Sequence, residues 1–451
     1  MESAPLHYSY EEALAVLKRA LAFGINPSLK GIELLMHALG DPQNSFAPIQ
    51  VTGTNGKTST TRLIDALLRA SHQSSGYYTS PELIDYTERI VVNGTPITRE
   101  EFARLLEQVN AARMRLSREG IYAGNQITEF ELLTALALLA FKEHALDFAV
   151  LEVGLGGRWD ATSVVAPSVA VVTGVGLDHT KILGDTVEAI AADKAMIIKP
   201  GSTPVLGLGL GNALPVVLER CKGVGAHPRI VCKLGEATPL LEELTTRIEI
   251  LEIAQSAEKL VETRFNVRTP HALYENLTIS EPEYQAYSVA TALTAAEAAL
   301  GRALKQGEVL HALAEVRFPA RFEMLRKDPL LIFDGGHNPQ AARHLAQNLE
   351  RAGVRPIAAL GVFADKDYRS IIEILAPAVS GFIAIDNGQQ RSLPAPQLAQ
   401  EIERITGESC LAVLEQPELK DIEAVTKSQP TLITGSLSLY VLLKSYSEHT
   451  Q

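Results

Sequence analysis

A glycine-rich segment near the N-terminus constrains the fold more than any other feature of the sequence. Residues 51–60 read Val-Thr-Gly-Thr-Asn-Gly-Lys-Thr-Ser-Thr, after an apolar run and before a helical pattern. Glycines at such a turn let backbone N–H groups face phosphate oxygens, and the start of the helix adds partial positive charge. The full Walker pattern needs glycine at position 51, where this chain has Val51, so only the shorter form from Gly53 to Thr58 is present. The segment predicts a phosphate-binding loop at the edge of an α/β sheet.

Every residue of this loop is a candidate for nucleotide binding. Lys57 can neutralise the β- and γ-phosphates, and the hydroxyl of Thr58 or Ser59 can bind Mg²⁺. The alternative is a structural turn with a chance lysine, which the sequence context and the spacing disfavour. The predicted nucleotide-binding residues of the loop are Gly53, Thr54, Asn55, Gly56, Lys57, Thr58 and Ser59.

Short apolar runs alternate with amphipathic helical patterns along most of the chain. Pro48–Thr52, Phe148–Val153 and Val169–Val175 predict strands, whereas Thr60–Ala70 and Glu129–His144 predict helices. This alternation is typical of an α/β fold with a largely parallel sheet. Later apolar runs predict a second series of strands at Pro329–Phe333, Pro356–Leu360, Gly381–Ile385 and Thr431–Thr434.

The changes of pattern predict two domains. We expect a P-loop-type ATPase domain with a parallel sheet over residues 1–315, carrying a small β-rich element at about residues 223–277. Residues 316–320 are predicted to form a hinge, and residues 321–451 a Rossmann-like C-terminal α/β domain.

Composition excludes several classes of function. The 451 residues carry a net charge of −12, which repels a nucleic-acid backbone. The three cysteines show no CxxC pair, so neither a disulfide framework nor a structural zinc site is expected. The longest apolar stretch, Leu132 to Phe141, is too short to span a bilayer, and the first residues do not resemble a signal peptide. We therefore expect a cytoplasmic protein that binds small molecules rather than nucleic acid or membranes.

Two polar residues follow apolar strands in positions that suit a metal ion. Glu152 lies in an otherwise apolar strand, where a carboxylate needs a cation or several donors. His179 comes shortly after the next predicted strand. Ligands of open α/β sheets bind at the carboxyl ends of strands, where the phosphate loop is also expected. A buried Glu–His pair with a purely structural role is the alternative, but the phosphate loop on the same edge favours a divalent metal.

One lysine falls on an apolar helix face. The residues Val187, Ile190, Ala191, Lys194 and Ile198 recur at three- and four-residue steps within a helix predicted over Val187–Lys199. Burial lowers the pKa of a lysine, and a neutral amine can react with CO₂ to form a carbamate that binds metal. Periodicity alone favours the simpler alternative, a lysine that reaches water or pairs with a nearby carboxylate.

Taken in order, these motifs resemble the Mur ligase superfamily, and specifically the folylpolyglutamate and dihydrofolate synthases. The matching segments are Tyr10–Leu14, Phe23–Ile25, Gly53–Thr60, Thr79–Pro81, Glu88–Ile90, Phe130–Glu131, Thr134–Ala135, Leu151–Arg158, Asp160–Thr162, Gly176–His179, Asp193–Ala195, Ile197–Lys199, Arg321–Glu323, Asp334–Pro339, Asp365–Asp367 and Thr434–Leu437. Such a series covers most of the chain.

The resemblance implies roles for individual residues. Thr58, Ser80, Glu152 and His179 look like ligands of Mg²⁺, with K⁺ as a second candidate ion. Lys194 looks like the carbamylated lysine of the family, which reverses the preference drawn from periodicity alone. The residues that the resemblance places at ATP, glutamate and the reacting phosphate are Lys57, Ser288, Arg321, Asp334 and His337.

Three positions depart from the usual pattern of the family. Thr58 stands where glycine is usual, Glu82 replaces a histidine, and Ser288 replaces an asparagine that helps to hold adenine. The first change is closer to the wider Mur ligase pattern, and the other two concern the nucleotide base and the acceptor.

The resemblance implies an ATP-dependent ligase that adds L-glutamate to dihydropteroate or folyl-(poly)glutamate through an acyl phosphate, and that acts as a monomer. A related ligase with a non-folate carboxylate acceptor is the nearest alternative. A nucleotide-binding switch would not need the Asp334–Asn338 cluster. A dinucleotide enzyme is suggested only by Gly207–Gly211, where Asn212 stands in place of the third glycine, so a strand–helix turn is favoured there.

Overall fold

The computed structural model describes residues 8–21, 27–121, 127–256, 260–386 and 388–443, so the motif Phe23–Ile25 lies outside the described residues. The chain divides into two compact units. The first unit comprises Met1–Glu249, Asn266–Glu275 and Tyr287–Val316, and the second comprises Ile250–Phe265, Asn276–Ala286 and Arg317–Gln451. No described helix is long and apolar enough to cross a membrane.

Within the described residues, eleven strands form the first sheet. They are β1 (Ala47–Thr52), β2 (Ser75–Tyr78), β3 (Ile90–Val92), β4 (Thr95–Pro96), β5 (Phe148–Glu152), β6 (Val169–Gly174), β7 (Thr203–Gly209), β8 (Arg229–Lys233), β9 (Thr245–Ser256), β10 (Leu260–Arg268) and β11 (Leu273–Ile279). They lie in the order β11-β10-β9-β8-β7-β6-β1-β5-β2-β3-β4.

The helices that precede the second sheet are α1 (Tyr10–Ala20), α2 (Lys30–Ala38), α3 (Lys57–Ala70), α4 (Arg99–Arg118), α5 (Glu129–Glu143), α6 (Thr180–Leu183), α7 (Val187–Lys194), α8 (Leu214–Gly223), α9 (Glu283–Leu300) and α10 (Gln306–Glu315). Several begin at a side-chain cap: Thr128, for example, forms a capping box with Glu131 at the start of α5. Nearly all of α5 is buried, which its long apolar run explains.

The centre of the first sheet is parallel and covered on both faces. Strand β1 pairs in parallel with β5 on one side and β6 on the other, so that Val51 lies opposite Glu152 and Thr52 opposite Val172. All three strands are almost fully buried, as expected of apolar runs in a parallel sheet. Their carboxyl ends share one edge, which is where the sequence predicts the site.

Glycines let strands β6 and β7 approach closely. A Cβ atom on Gly174 would lie 2.7 Å from the Cα atom of Gly209, and a Cβ atom on Gly207 would lie 2.5 Å from the carbonyl oxygen of Thr173. The Gly207–Gly211 segment therefore belongs largely to a strand rather than to the predicted turn, and its glycines serve strand packing.

The β-rich region predicted at about residues 223–277 continues the first sheet. Strand β8 pairs in parallel with β7 and with β9. Strand β10 alternates buried and exposed residues, as expected of a sheet with one solvated face. These strands thus extend one edge of the sheet instead of forming a separate sheet.

The second sheet lies in the second unit. Its strands are β12 (Glu323–Lys327), β13 (Leu330–Asp334), β14 (Ile357–Leu360), β15 (Gly381–Ile385), β16 (Ala412–Leu414) and β17 (Thr431–Thr434), and the helices of this part of the chain are α11 (Pro339–Arg351), α12 (Tyr368–Leu375), α13 (Ala395–Thr406) and α14 (Leu419–Thr426). The order is β12-β13-β17-β14-β15-β16, and β12 is antiparallel to β13 whereas the other pairs are parallel. The two sheets confirm the predicted fold class.

The helix that carries Lys194 is shorter than predicted. It ends at Lys194 and continues only as a 3-10 turn over Ala195–Ile197, not as a helix to Lys199. Pro200 disfavours helical backbone at the residue before it, Lys199, so the helix could not have reached that residue. The buried face is nevertheless the predicted one, because Ile190, Ala191 and Lys194 are all buried.

Candidate active site

The glycine-rich loop joins β1 to α3 and is shaped by its two glycines. Gly56 has φ of +83°, a left-handed conformation that favours glycine, and it precedes α3 without a capping side chain. A Cβ atom on Gly53 would lie 1.9 Å from the Oγ1 atom of Thr173, so no larger residue fits there. The first turn of α3 therefore faces the loop with backbone N–H groups, the usual arrangement for binding an anion.

Hydrogen bonds tie the loop to the end of β6. The backbone N–H of Thr54 donates to the Gly174 carbonyl at 2.9 Å, and its hydroxyl donates to the Gly176 carbonyl at 3.1 Å. The Gly176 N–H donates back to the same hydroxyl at 2.9 Å, and the Thr173 hydroxyl donates to the Asn55 carbonyl at 2.6 Å. The conformation of the loop is thus set by tertiary contacts.

Two lysines converge on one backbone carbonyl in this loop. Lys57 Nζ donates to the carbonyl oxygen of Gly53 at 2.9 Å and to that of Thr54 at 3.2 Å. Lys194 Nζ donates to the same Gly53 oxygen at 3.0 Å. The loop therefore concentrates positive charge where the chain is predicted to hold phosphates.

The Lys194 ammonium is unusually easy to deprotonate. Its side chain is 5% exposed, so it does not reach bulk water as the simpler sequence interpretation supposed. Burial, followed by the positive charge of Lys57, lowers the pKa of Lys194 to about 7 against the opposing effect of Asp178 and Asp193. Near neutral pH a substantial fraction of this amine is uncharged.

The carboxylate of Glu152 faces the loop from the end of β5. Glu152 is 1% exposed, and the hydroxyl of Thr58 donates to its two carboxylate oxygens at 2.9 Å and 3.0 Å. The parallel register explains the contact, because Glu152 lies opposite Val51 and the loop follows directly. Two of the predicted metal ligands are thus in contact.

The other predicted metal ligands lie on loops at the same edge. Ser80 comes two residues after β2, which pairs in parallel with β5. His179 precedes α6 with φ of +52°, and its imidazole is 41% exposed with Nε2 3.8 Å from a carboxylate oxygen of Asp178. Among the described residues, no group of three or more histidine, cysteine or acidic side chains could hold a metal. A metal here would accordingly depend on hydroxyls and on the bound substrate as well.

The segment after β5 packs onto the end of α7. Gly156 has φ of +68°, and a Cβ atom on it would lie 2.2 Å from Asp193 Oδ1. A Cβ atom on Gly157 would lie 2.7 Å from the carbonyl oxygen of Lys194. The hydroxyl of Thr52, the last residue of β1, donates to the Gly156 carbonyl at 2.7 Å. These contacts hold the helix end so that Lys194 meets the loop.

Ser288 lies near the loop from helix α9. A Cβ atom on Gly56 would be 3.9 Å from the Ser288 hydroxyl oxygen, and Ser288 is 8% exposed. The family resemblance implies that Ser288 lies near adenine. In the structure, Ser288 lies beside the phosphate loop.

The predicted site residues of the second unit form their own cluster. The carboxylate of Asp334 accepts hydrogen bonds at 2.8 Å from the backbone N–H groups of Phe322 and Gly336. Burial raises the pKa of Asp334, whereas Arg321 and the two N–H groups favour its charged form. His337 Nδ1 donates to the Gly335 carbonyl at 3.1 Å. Arg321, Asp334 and His337 therefore belong together within this unit.

Sequence reasoning missed two functional neighbours. Thr173 holds the loop through Asn55 and excludes any side chain at Gly53, and only its place at the end of a predicted strand could have suggested it. Arg89 is buried and forms an ion pair with Glu82 at 2.6 Å. The acidic residue that departs from the usual histidine thus has a cationic partner seven residues away.

Comparisons with known proteins match both halves of the chain. The sequence profile of the Mur ligase middle domain matches residues 51–206, and that of the Mur ligase glutamate ligase domain matches residues 320–437. The Bacillus subtilis dihydrofolate synthase/folylpolyglutamate synthase is 32% identical over 95% of this chain and 97% of its own length.

Solved structures are similar over the whole chain. The Mycobacterium tuberculosis folylpolyglutamate synthase complexed with ADP has a TM-score of 0.87 at 29% identity, covering 98% of both chains. An FPGS–AMPPCP–folate complex has a TM-score of 0.81 at 30% identity, covering 97% of this chain and all of the other.

Proposed function

The chain belongs to the dihydrofolate synthase/folylpolyglutamate synthase family of Mur ligases, and from this premise we propose that it uses ATP to join L-glutamate to a pteroate-type carboxylate. The acceptor is dihydropteroate, a folyl-(poly)glutamate, or both. The observation that carries the proposal is the contact of the loop residue Thr58 with the buried Glu152, beside the two lysines on the Gly53 carbonyl.

The chemistry explains why a nucleotide is needed. A carboxylate oxygen is a poor leaving group, so an amine does not displace it unaided. Transfer of the γ-phosphoryl group of ATP to the carboxylate gives an acyl phosphate and ADP. The amino group of glutamate then attacks the carbonyl carbon, phosphate leaves, and an amide forms. The protein must neutralise phosphate charge and align the reactants.

The first unit supplies the charge for phosphoryl transfer. We assign the phosphates of ATP to the N–H groups from Gly53 to Ser59 and to the Lys57 ammonium, which already lies over the loop. A phosphate oxygen would compete with the loop carbonyls for the three protons of Lys57. Ser288, close to Gly56, is the candidate contact to the nucleoside side of ATP.

The donor set at the loop suits Mg²⁺. Mg²⁺ is commonly bound by one or two carboxylates together with hydroxyls, water and substrate phosphates, and Glu152 with Thr58 offers such a pair. Ser80 and His179, on the neighbouring loops, are the further ligands that we propose, and K⁺ is the second candidate ion. When bound, Mg²⁺ would offset phosphate charge during transfer.

Lys194 has the properties needed for carbamate formation. Its pKa of about 7 leaves a neutral amine available, and the positive charge of Lys57 on the same Gly53 carbonyl would stabilise a negative carbamate. We propose that this modification gives the site a second anion to balance its cations.

The second unit is proposed to bind the incoming glutamate. Arg321, Asp334 and His337 form a polar cluster in which backbone N–H groups fix the carboxylate. Arg321 would reach ATP, while Asp334 and His337 would lie near the amino acid and the reacting phosphate. We propose domains at residues 1–315 and 321–451, joined by a hinge at residues 316–320, since closure would exclude water from the acyl phosphate.

We also propose the cellular compartment, the oligomeric state and the partners of the enzyme. Cys221, Cys232 and Cys410 are free thiols, which is compatible with a reducing cytoplasm. We propose a monomer whose partners are ATP, L-glutamate and the folate acceptor, and which does not bind nucleic acid.

The test is release of ADP that depends on both substrates. The purified chain is incubated with ATP, Mg²⁺ and L-glutamate, and with dihydropteroate, a folate, or a non-folate carboxylate as acceptor. We expect ADP release with dihydropteroate, with the folate, or with both, and an amide product by mass spectrometry. Release with the non-folate carboxylate alone, or no acceptor dependence, would overturn the proposal.

A further inference from the structure

Lys199 lies near the candidate site but takes no part in the reaction proposed for it. It comes five residues after Lys194, beyond the 3-10 turn that follows α7, and its side chain is half-buried. Its ammonium donates to two backbone carbonyl oxygens, that of Ser163 and, at 2.7 Å, that of Val165. Such hydrogen bonds are charge-assisted and stronger than those between neutral groups. Lys199 thus fastens its own segment to residues 153–168, the loop between β5 and β6.

The β5–β6 loop also contacts Lys194 itself. A Cβ atom on Gly157 would lie 2.7 Å from the carbonyl oxygen of Lys194, so the two backbones pack directly against each other. The hydroxyl of Ser163 donates to the Gly157 carbonyl at 2.6 Å, and this hydrogen bond joins the two contacts on the loop side. The stretch from Lys194 to Lys199 is therefore held against one loop at both of its ends.

A buried glutamine of β1 connects this loop to the phosphate loop. Gln50 is 0% exposed, and its Nε2 atom donates to the hydroxyl oxygen of Ser163 at 3.0 Å. Gln50 lies three residues before Gly53, whose carbonyl oxygen accepts from Lys194. The donor and the acceptor of that hydrogen bond are thus connected a second time, through Lys199, the β5–β6 loop and β1. Buried polar groups that satisfy one another keep a defined geometry, because breaking one contact leaves its partner without water.

The backbone that carries Lys199 is fixed from the opposite side. The guanidinium of Arg220, on α8, donates from Nε at 3.1 Å and from Nη2 at 2.9 Å to the carbonyl oxygen of Ile198. The Ser202 hydroxyl accepts from the Lys199 N–H at 3.2 Å and donates to the Lys199 carbonyl at 2.7 Å. The Lys199 side chain therefore holds the loop from a fixed base.

We infer that Lys199 is a positioning residue that sets the place of the Lys194 amine at the phosphate loop. Removal of its ammonium would release residues 163–165, and Gly157 would lose its support against Lys194. Misplacement of a reacting group by about 1 Å can slow an enzyme on the order of 100-fold. The inference deepens the proposed function and rests on it, because it concerns Lys194 in that same reaction.

Chemical labelling tests the position of Lys194 without requiring activity. Lys194 is 5% exposed, so an N-hydroxysuccinimide acetate should acetylate it slowly in the native chain. In Lys199→Met we expect acetylation of Lys194, followed by mass spectrometry, to become several-fold faster. Cys221, which is 1% exposed on α8, is the internal reference, because its reaction with a maleimide reports general loosening of the core. An unchanged rate at Lys194, or an equal rise at Cys221, would overturn the inference.

Steady-state kinetics supply the second test. Lys199→Met should lower kcat roughly tenfold and leave KM for ATP unchanged, because the phosphate loop keeps its own contacts to β6. Lys199→Arg should restore most of the rate, since a guanidinium offers N–H donors to both carbonyls. Lys142→Met is the matched control: Lys142 also donates to a backbone carbonyl, that of Gly40 at 3.2 Å, and its loss should leave kcat native. Native kcat in Lys199→Met, or a KM for ATP that rises as much as kcat falls, would contradict the positioning role.

Failure of the inference and failure of the proposed function give different results. Acceptor-dependent ADP release with native kcat in Lys199→Met would overturn only the role of Lys199. Absence of ADP release from the native chain with every pteroate-type acceptor would overturn the proposed function, while the labelling of Lys194 would still show whether Lys199 holds it in place.

Discussion

Two buried ionisable groups, Lys194 in the first unit and Asp334 in the second, are held in opposite ways. Lys194 donates to a single carbonyl that a second cation, Lys57, also uses. Asp334 accepts one backbone N–H on each of its oxygens and lies near Arg321. Burial disfavours the charge of both groups. At Lys194 the charge of Lys57 adds to this effect, although Asp178 and Asp193 oppose it, whereas at Asp334 both Arg321 and the backbone N–H groups oppose it.

The difference indicates two kinds of site. The surroundings of Lys194 prepare a group to change its protonation or covalent state near neutral pH. The surroundings of Asp334 maintain a fixed carboxylate that orders the backbone just before β12, at Phe322, and just after β13, at Gly336. We therefore expect activity to depend most on the surroundings of Lys194, and local stability to depend most on the surroundings of Asp334.

Removal of Lys57 is expected to have the largest effect on activity. Lys57→Ala deletes the phosphate-neutralising cation and should lower kcat/KM roughly 10³-fold or more, with an unchanged melting temperature. His179→Ala should likewise abolish ligation, because it removes a proposed metal ligand. The measurement is ATP-dependent amide formation, with Lys222→Ala, an exposed lysine of α8, as the active control. Full activity in Lys57→Ala would reject the site.

Lys194→Met is expected to reduce kcat roughly 10²-fold by removing the reactive amine. The difference in stability between this variant and the native chain should depend on pH. The pKa of Lys194 is about 7 in the folded chain and close to 10.5 when unfolded, so the unfolded state binds more protons between these values. The variant should exceed the native chain in stability most below pH 7.

The stability advantage of Lys194→Met should shrink as the pH rises towards 10.5. The free energy of unfolding, measured in urea at pH 6 and pH 9 in CO₂-free buffer, checks this sign. An advantage that does not change with pH would show that Lys194 is not deprotonated in the folded chain. The proposed contrast between Lys194 and Asp334 would then be wrong for Lys194.

Asp334→Asn is expected to act mainly on stability, by lowering the free energy of unfolding. An asparagine offers one acceptor oxygen, so its NH₂ group would face the N–H of Phe322 or Gly336. The loss should be about 1–3 kcal/mol of unfolding free energy. Glu350→Gln, at an exposed position of α11, is the control. Native stability in Asp334→Asn would contradict the assignment of a framework role.

Glu82→Gln should have the smallest effect. Arg89 is buried and pairs with Glu82, but Glu82 is partly exposed and glutamine can still accept a hydrogen bond. We expect a loss of about 1 kcal/mol in unfolding free energy and little change in ATP affinity. If Glu82→Gln lost as much unfolding free energy as Asp334→Asn, a buried charge paired with a side chain and a buried charge held by backbone N–H groups would contribute equally to stability.

The fold could be predicted because its signals are local. Apolar runs mark β1, β5 and β6, the glycines of residues 53–56 mark the turn into α3, and periodicity correctly placed Lys194 on a buried face. Pro200 explains why α7 does not reach Lys199, and it is a local signal that periodicity alone did not include.

The long-range contacts of the site could not be predicted. The oxygen that receives Lys194 belongs to Gly53, which is 141 residues earlier. The need for glycine at that position comes from Thr173, in a strand that pairs with β1. Such contacts depend on strand order, which neither periodicity nor motif spacing specifies.

The close approach of β6 and β7 restricts how the chain can vary in length. Because Gly174 and Gly209 meet backbone to backbone, the carboxyl ends of the parallel strands β6 and β7 lie at a fixed separation, and the connection between the strands has to run from Gly174 back to Thr203. That connection carries both His179 and Lys194. An insertion or deletion inside it would change the path between two strand ends whose positions are fixed, and we expect it to displace His179 or Lys194 from the loop. Natural or engineered length changes should therefore be tolerated in the loops beyond β8 and rejected here.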